Sequence, residues 1–474
     1  MNSLKKTKIV CTIGPATTSE ERLTQLIKAG MNVVRLNFSH GDFAEHQEKV
    51  DNVRKAIKKT GAAVAILQDL GGPKIRIGEF TTKTVILKPG NKIVITTDKI
   101  VGDENRVSVN YPLFAKEMKV GDAVLLDDGK KRLEVVSIKG NDVTCKIIVG
   151  GETKGRRGLN LPGSDLSIHS ITEKDRADIP FGLKNNVDFF ALSFVRRPED
   201  ITELREILDK AKSKAKIIAK IETPQALKNI EEILKLTDGV MIARGDLAIE
   251  IPAEEVPMAQ KMLIRRCNEL GKPVITATQM LESMIKSPVP TRAEVSDVAN
   301  AIIDGTDAIM LSEETTLGEY PIEAVEMMSR IARQIENDSH YRAVVGSRKY
   351  SDVVKRTSDA LGNGAIEVAK EADAKLIVAL TDKGFAARMI SRYKPEQKIL
   401  AFTPNQTTFN QLALSYGCAP VLCKKFTDIS TAIKEAKTLI TKNKLAKKGD
   451  KVVMIFGFPL GKSSGTNSLI VETL

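Results

Sequence analysis

The sequence predicts an α/β fold: a (β/α)8 barrel interrupted by a small all-β domain and followed by a separate C-terminal α/β domain. Three observations predict it. Short β-branched runs alternate with amphipathic helical patterns, as parallel strands with helical crossovers require. That rhythm breaks once, from Leu70 to about Asp165, where Val, Ile, Thr and Gly dominate and helical periodicity is nearly absent. Three strand signals precede the break and five follow it before a polar stretch, and eight strand–helix units suggest a closed barrel. A large doubly wound sheet would need a Gly-rich phosphate turn after its first strand, and none is there.

The elements follow in order. Lys8–Thr12 reads as a strand, Glu20–Ala29 as a helix ending before Gly30, Val33–Asn37 as a strand, Phe43–Lys59 as a helix and Ala63–Asp69 as a strand. The β-rich insertion is entered through Gly71-Gly72-Pro73, carries strand runs at Thr84–Leu87, Lys92–Thr96, Ala123–Leu126, Leu133–Lys139 and Val143–Val149, and is left near Leu161-Pro162-Gly163. Strands then fall at Phe189–Ser193, Lys216–Ile221, Gly239–Ala243, Pro273–Ala277 and Asp307–Leu311. Helices between them include Pro224–Leu234, Pro257–Leu270 and Glu294–Ile303; Thr291 and Glu294 have the spacing of a capping box. Ser339–Lys355, polar and basic, reads as a linker. Beyond it, Asp359–Lys370, Leu376–Leu380, Phe385–Arg392, Lys398–Phe402, Ile429–Lys442 and Lys451–Phe456 alternate again. The expected domains are residues 1–69 with 167–340 (barrel), 70–166 (β insertion) and 341–474 (C-terminal domain).

Bulk properties narrow the class. A length of 474 residues suggests two to four domains. Aromatics are only 4% and Trp is absent, so Val, Ile, Leu and Ala must fill the core. No run approaches the ~18 apolar residues of a membrane span, and Met1–Lys8 leads into a strand rather than a signal-peptide core. Five scattered cysteines without metal spacing fit a reduced, cytoplasmic protein. The net charge of +12 is spread among acids without aromatic–basic interleaving. That favours a basic surface serving phosphorylated substrates over a nucleic-acid partner. The four histidines show no zinc spacing and read as solvated or helix-face residues. Gly457–Ser463 has three residues between its glycines where a phosphate-binding loop needs four.

In a barrel of this type the C-terminal ends of the strands carry the chemistry. The residues there are Arg35, Asn37 and Ser39; Asp69; Ser193; Lys220 and Glu222; Arg244 and Asp246; Thr278; and Ser312 with Glu313. Glu222 and Asp246 end neighbouring strands. Two carboxylates facing one cavity suit a hard divalent cation such as Mg²⁺; salt bridges to Arg244 or Lys220 are the other reading. Lys220 ends an apolar run, and a buried ammonium is costly unless paired. It either pairs with Glu222, two positions on and on the same strand face, or joins Arg35 in a cationic cradle for a phosphoryl group.

Several segments resemble the pyruvate kinase family. They are K-I-V-C-T-I-G-P-A at Lys8–Ala16, V-R-L-N-F-S-H-G at Val34–Gly41, Q-D-L-G-G-P-K-I-R at Gln68–Arg76, I-A-K-I-E at Ile218–Glu222 and M-I-A-R-G-D-L at Met241–Leu247. The most specific is T-A-T-Q-M-L-E-S-M at Thr276–Met284, followed by P-T-R-A-E-V-S-D-V-A-N-A. The resemblance spans essentially the whole chain. It implies transfer of the phosphoryl group of phosphoenolpyruvate to ADP, giving ATP and an enolate that takes a proton at carbon to become pyruvate. Lys220 and Arg35 would stabilise the phosphoryl in transit. Thr278 would serve substrate binding and the proton step, with Gly245 and Asp246 at the substrate carboxylate. Glu222 and Asp246 would hold Mg²⁺ or Mn²⁺. Asn37, Ser39, His40, Arg76 and Arg157 match nucleotide-side positions, although the family more often has lysine at Arg157. The inserted domain would act as a lid, and the family is commonly homotetrameric.

Departures from the family pattern carry expectations of their own. The potassium site of many members matches Asn37, Ser39, Asp69 and Leu70, yet Leu70 stands where threonine is common and Lys74 where glutamate is. The Lys74 ammonium would supply the missing unit charge, so potassium is not expected to be required. The effector loop, Thr381–Ala387, holds one hydroxyl, with Ser463, Ser464 and Thr466 nearby in sequence. Fructose 1,6-bisphosphate activation is not expected; another sugar phosphate or a nucleotide is the alternative effector. Glu313 and Ala248 replace family glycines without a physical account. Two rival readings, a metal-dependent pyruvate-enolate aldolase or lyase and a non-catalytic metabolite-binding relative, leave the β insertion or the intact lysine and carboxylates unexplained.

Overall fold

The computed structural model describes residues 5–164, 166–346, 357–460 and 465–474. Eight parallel strands close a barrel: Lys8–Thr12, Val33–Asn37, Ala65–Asp69, Phe189–Leu192, Lys216–Ile221, Gly239–Ala243, Val274–Ala277 and Ala308–Leu311. Each pairs with its neighbours in chain order, and the first closes on the last with Lys8 opposite Ala308. All eight are buried almost throughout, which is why they read as continuous apolar runs rather than alternations. Helices begin where the sequence supplies caps. Asp42 accepts from the Glu45 amide, Thr172 and Asp175 form a capping box, and so do Thr291 and Glu294. The second helix, Phe43–Thr60, stops at Gly61, whose φ of 64° suits glycine.

Between the third and fourth barrel strands the chain builds the insertion around a six-stranded sheet and a two-stranded ribbon. Its own apolar core includes Ile93, Val107, Phe114, Val124, Leu133 and Val143. The C-terminal domain is a five-stranded sheet, parallel except for its edge strand Ser468–Thr473, which runs antiparallel to Lys451–Phe456. Its turn Leu412–Leu414 plugs the floor of the barrel: Ala413 and Leu414 pack with Val10, Leu67, Phe189 and Met310 from the strands. Polar contacts fix the same junction. Asp307 Oδ1 accepts from Lys394 Nζ (2.9 Å) and the Tyr416 amide (3.1 Å), and buried Glu336 accepts from the amides of Lys6 and Thr7.

Some expectations need correction. The helix read over Pro224–Leu234 is two helices, Pro224–Lys228 and Ile230–Leu236, because the Asn229 side chain leaves the helix to donate to the Arg196 carbonyl (2.9 Å). Ser339–Gly346, read as linker, is helical and buries Tyr341 and Val345, an i, i+4 apolar pair; residues 347–355 of that reading lie outside the described residues. The insertion contains one helical turn, Phe114–Glu117, and short strands at Arg106–Ser108, Gly151–Thr153 and Leu159–Asn160 that carry too few residues to show a period. The 17-residue helix Pro321–Asn337, the strand Cys418–Leu422 and the edge strand Ser468–Thr473 were also unread. His46 is a core residue, 2% exposed, stacked on Phe38 with ring centroids 4.0 Å apart.

Helix Glu173–Lys184 sits flush on the barrel at Gly182, where an added Cβ would lie 2.7 Å from Phe190 Cζ in the core. Gly182→Ala is expected to lower stability by about 1–3 kcal/mol through overpacking, read as a drop in the urea unfolding midpoint.

Candidate active site

The C-terminal mouth of the barrel gathers a charge network from four strands and the loops that follow them. Arg35, on the second strand, donates from Nε to Asp69 Oδ2 (2.6 Å) and from Nη1 to Thr12 Oγ1 (2.9 Å). Asp69, the last residue of the third strand and 1% exposed, shares its other oxygen with Lys220 Nζ at 3.3 Å. Lys220, on the fifth strand, also donates to Ser193 Oγ (2.7 Å), which in turn donates to the Leu70 carbonyl (2.7 Å). Glu222, just past that strand and fully buried, lies 2.9 Å from Lys220 Nζ through Oε1 and accepts the Phe194 amide on Oε2 (2.7 Å). Lys220 thus pairs with Glu222, as one reading expected, and also shares Asp69 with Arg35, which sets the two cations side by side.

Electrostatics follow from this burial. Burial alone would lower the Lys220 pKa; the carboxylates of Asp69 and Glu222 reverse that and raise it above the usual lysine value. Burial would raise Asp69, but Lys220 and Arg35 hold it below the ordinary carboxylate range. Glu222 is pushed up to about 7 by burial, with Asp246 adding repulsion and Lys220 opposing. Its Oε1 meets the Lys220 ammonium as an ion pair, outside aligned hydrogen-bond geometry, and has no other donor despite complete burial. A buried carboxylate oxygen left in this way, beside a second carboxylate, fits a bound cation. Among the described residues no group of three or more His, Cys, Asp or Glu side chains is arranged for a metal. Two protein carboxylates with the remaining positions left to water and substrate suit Mg²⁺ or Mn²⁺ rather than zinc.

The sixth strand ends at Ala243, so Arg244 and Asp246 sit in a short helix, Arg244–Glu250, rather than on the strand end expected. Arg244 locks the neighbouring loop. It donates to the carbonyls of Ala277 (3.2 Å) and Thr278 (2.8 Å) and pairs with Asp297 Oδ1 at 2.6 Å. Thr278 adopts a φ of 72°, costly for a β-branched residue. Its hydroxyl accepts the Gly245 amide (2.8 Å) and donates to the Ala277 carbonyl (2.6 Å). Gly245 and Thr278 are therefore brought into direct contact.

The nucleotide-side residues lie towards the inserted domain. A cleft of about 170 Å³ between the domains is lined by Arg76, Arg157 and Asp246, and an adjoining one of about 570 Å³ by Ser39, Lys74, Arg76 and Lys174. Asn37 Oδ1 accepts the Ser39 amide (3.1 Å). The His40 pKa is lowered by partial burial and then by the charges of Lys74, Arg76, Arg35 and Lys174, which marks this rim as cationic. Arg157 Nε lies 3.5 Å from Asp127, an acid that the sequence did not single out. Also unread were Thr12, the Phe194 amide and the Asn160–Glu250 hydrogen bond (2.9 Å) that joins the inserted domain to the barrel. Thr12 stands at a strand end and was findable by the rim criterion; a backbone amide and a contact across domains leave no mark in sequence.

The pyruvate kinase barrel-domain model matches residues 4–325, and the pyruvate kinase alpha/beta-domain model matches residues 359–472. The chain belongs to the pyruvate kinase family. A pyruvate kinase of Geobacillus stearothermophilus is 45% identical over 476 residues, covering 99% of this chain and 80% of that relative. One of Clostridium perfringens is 44% identical over 476 residues, covering 99% of this chain and 100% of that relative. The crystal structure of a pyruvate kinase from Cryptosporidium parvum superimposes with a TM-score of 0.94 at 39% identity, covering 99% and 96% of the two chains. Membership in the pyruvate kinase family makes the chain a phosphotransferase with a divalent-metal and nucleotide-binding character typical of that family.

Removing the carboxylate that two buried cations share should be severe. Asp69→Ala is expected to lower stability by about 3–5 kcal/mol, measured by chemical denaturation.

Proposed function

We propose that this chain transfers the phosphoryl group of phosphoenolpyruvate to ADP, giving pyruvate and ATP, as a glycolytic enzyme of the cytoplasm. The observation that carries this is the pair of cations, Arg35 and Lys220, fixed on one carboxylate beside Glu222 at the barrel mouth. Phosphoryl transfer needs positive charge held in place around a migrating anion, with little covalent help from the protein. Both cations are anchored before substrate arrives, so little reorganisation opposes the transition state. Glu222 and Asp246 would hold Mg²⁺ or Mn²⁺. Bound there, the metal supplies positive charge to substrate oxygens.

The remaining roles fall to this chain's own groups. Arg35 and Lys220 neutralise the phosphoryl group while ADP attacks. Gly245 and Asp246 lie beside Thr278 and suit the substrate carboxylate. Thr278, its hydroxyl oriented by the Gly245 amide, serves substrate binding and the proton step at carbon. Asn37, Ser39, His40, Arg76 and Arg157 receive the nucleotide. The inserted domain, taken as residues 70–166 between barrel segments 1–69 and 167–340, closes over the site and excludes water. Residues 341–474 serve regulation and assembly into a homotetramer. The loop Thr381–Ala387 has only one hydroxyl, and Ser463 and Ser464 lie outside the described residues. An effector other than fructose 1,6-bisphosphate, a different sugar phosphate or a nucleotide, accords with that loop.

An aldolase or lyase acting on the same enolate has no use for a phosphoryl cradle. A coupled assay of pyruvate formation from phosphoenolpyruvate and ADP separates the readings. Activity is expected in the parent, with kcat lowered at least about 10²–10³-fold in Lys220→Ala. An inactive parent would overturn the proposal.

We further propose that Lys74 replaces potassium. The Leu70 carbonyl and the Asp69 carboxylate, two of the matched potassium positions, are already engaged by Ser193 and by Arg35 with Lys220. Lys74 lines both nucleotide-side clefts, and its charge is felt at His40. Equal rates are expected in tetramethylammonium and potassium buffers, and Lys74→Glu should create a potassium requirement. Strong potassium stimulation of the parent would sink this reading.

A further inference from the structure

The catalytic mouth is not the only built cavity. A cleft of about 650 Å³ opens at the opposite end of the barrel, where the strands begin and the C-terminal domain docks. Its volume lies within the ~300–1,000 Å³ typical of small-molecule sites, which favour domain junctions. The floor is apolar, made by Val64, Ile66, Val187 and Ala215. The rim carries Arg54 and Lys58 from the second helix, with Lys212 and Lys214 from the loop before the fifth barrel strand. Among the described residues, none of these four has a carboxylate partner; Arg54 donates to the Asn185 carbonyl. Four cations around a single acid, Asp188, on which the Arg54 charge acts, leave a net positive local potential.

Asp188 is the one acid among the described residues that line the cleft. Its Oδ2 accepts the Ile66 amide at 2.8 Å, and the Asn410 side chain hydrogen-bonds to it from the C-terminal domain. Burial pushes its pKa up to about 7, so near neutral pH it only partly offsets the rim charge. The C-terminal helix Gln406–Gln411 closes the last side, and Gln411 bonds the carbonyls of Asp188 and Lys214.

We propose that this cleft is a second ligand site, for a small organic anion that carries a doubly charged group on an apolar or ring-shaped body. The body covers the apolar floor and the charged group meets the rim cations. The site is also wired to the catalytic network. Asp188 immediately precedes the fourth barrel strand, which ends before Ser193, and Ile66 lies on the third, which ends in Asp69. These two strands pair directly, Asp69 opposite Ala191. An occupant that draws in the rim loops therefore acts on the far ends of the two strands that position the partners of Lys220.

The test uses the full-length protein with Mg²⁺ and saturating oxalate, and phenyl phosphate as probe in isothermal titration calorimetry. Saturable binding at one site per chain is expected, weaker in high NaCl. Lys58→Glu/Lys214→Glu should weaken it at least about tenfold, or ~1.4 kcal/mol. Ala211→Trp, which fills the cleft without altering charge, should also weaken it at least about tenfold. Both variants should keep the parent's unliganded activity and unfolding midpoint. No saturable binding to the parent, or equal binding by both variants, overturns the site. Inorganic phosphate binding as tightly as phenyl phosphate overturns the assignment of an apolar body. Because the readout is binding, it stands or falls apart from the catalytic reading.

Discussion

One shared carboxylate organises the C-terminal mouth of the barrel. Asp69 is buried, and it holds Arg35 through one oxygen and Lys220 through the other. Two cations brought this close would otherwise repel each other and resist burial. With Asp69 between them, both remain charged and both are aimed into the mouth. The depressed pKa of Asp69 and the elevated pKa of Lys220 express the same interaction from its two ends. Ser193 extends it, tying Lys220 to the backbone at Leu70.

Barrel geometry makes this arrangement possible. Parallel strands deliver side chains from distant parts of the chain to one rim, and the register brings Asn37 opposite Asp69. Where the barrel alone does not place a group, a neighbouring clamp does. Arg244 grips both carbonyls of the turn that holds Thr278 in its left-handed conformation. Strain of that sort, typically about 1–3 kcal/mol, persists only where surrounding contacts over-determine the backbone. The Gly245 amide then fixes the Thr278 hydroxyl.

The other end of the barrel is organised differently. There the C-terminal domain inserts Ala413 and Leu414 as an apolar plug, while Asp307 and Glu336 satisfy amides and a lysine around it. The plug leaves a basic cleft to one side, over the starts of the strands that end in the charge network at the other mouth. The two ends of one barrel thus divide charge chemistry from domain docking, and the same strands span both.

Much of this was legible in the sequence. The first two barrel strands and the fifth and sixth appear with the bounds read from their apolar runs, because a strand buried on both faces must be apolar throughout. Arg35, Asp69, Lys220 and Glu222 stood out because a charge at the end of such a run is costly to bury unless a partner or a ligand meets it. The break at Asn229, the helix Ser339–Gly346 and the burial of His46 were not legible, since each depends on a partner distant in the chain: the Arg196 carbonyl for Asn229, the Tyr416 hydroxyl for Tyr341, and the Phe181 ring for His46. Composition and periodicity determined the elements and the rim. Only the tertiary structure decided which charges share a counter-ion and where cations outnumber the acids near them, because distance between side chains from different strands is set by barrel closure and domain docking.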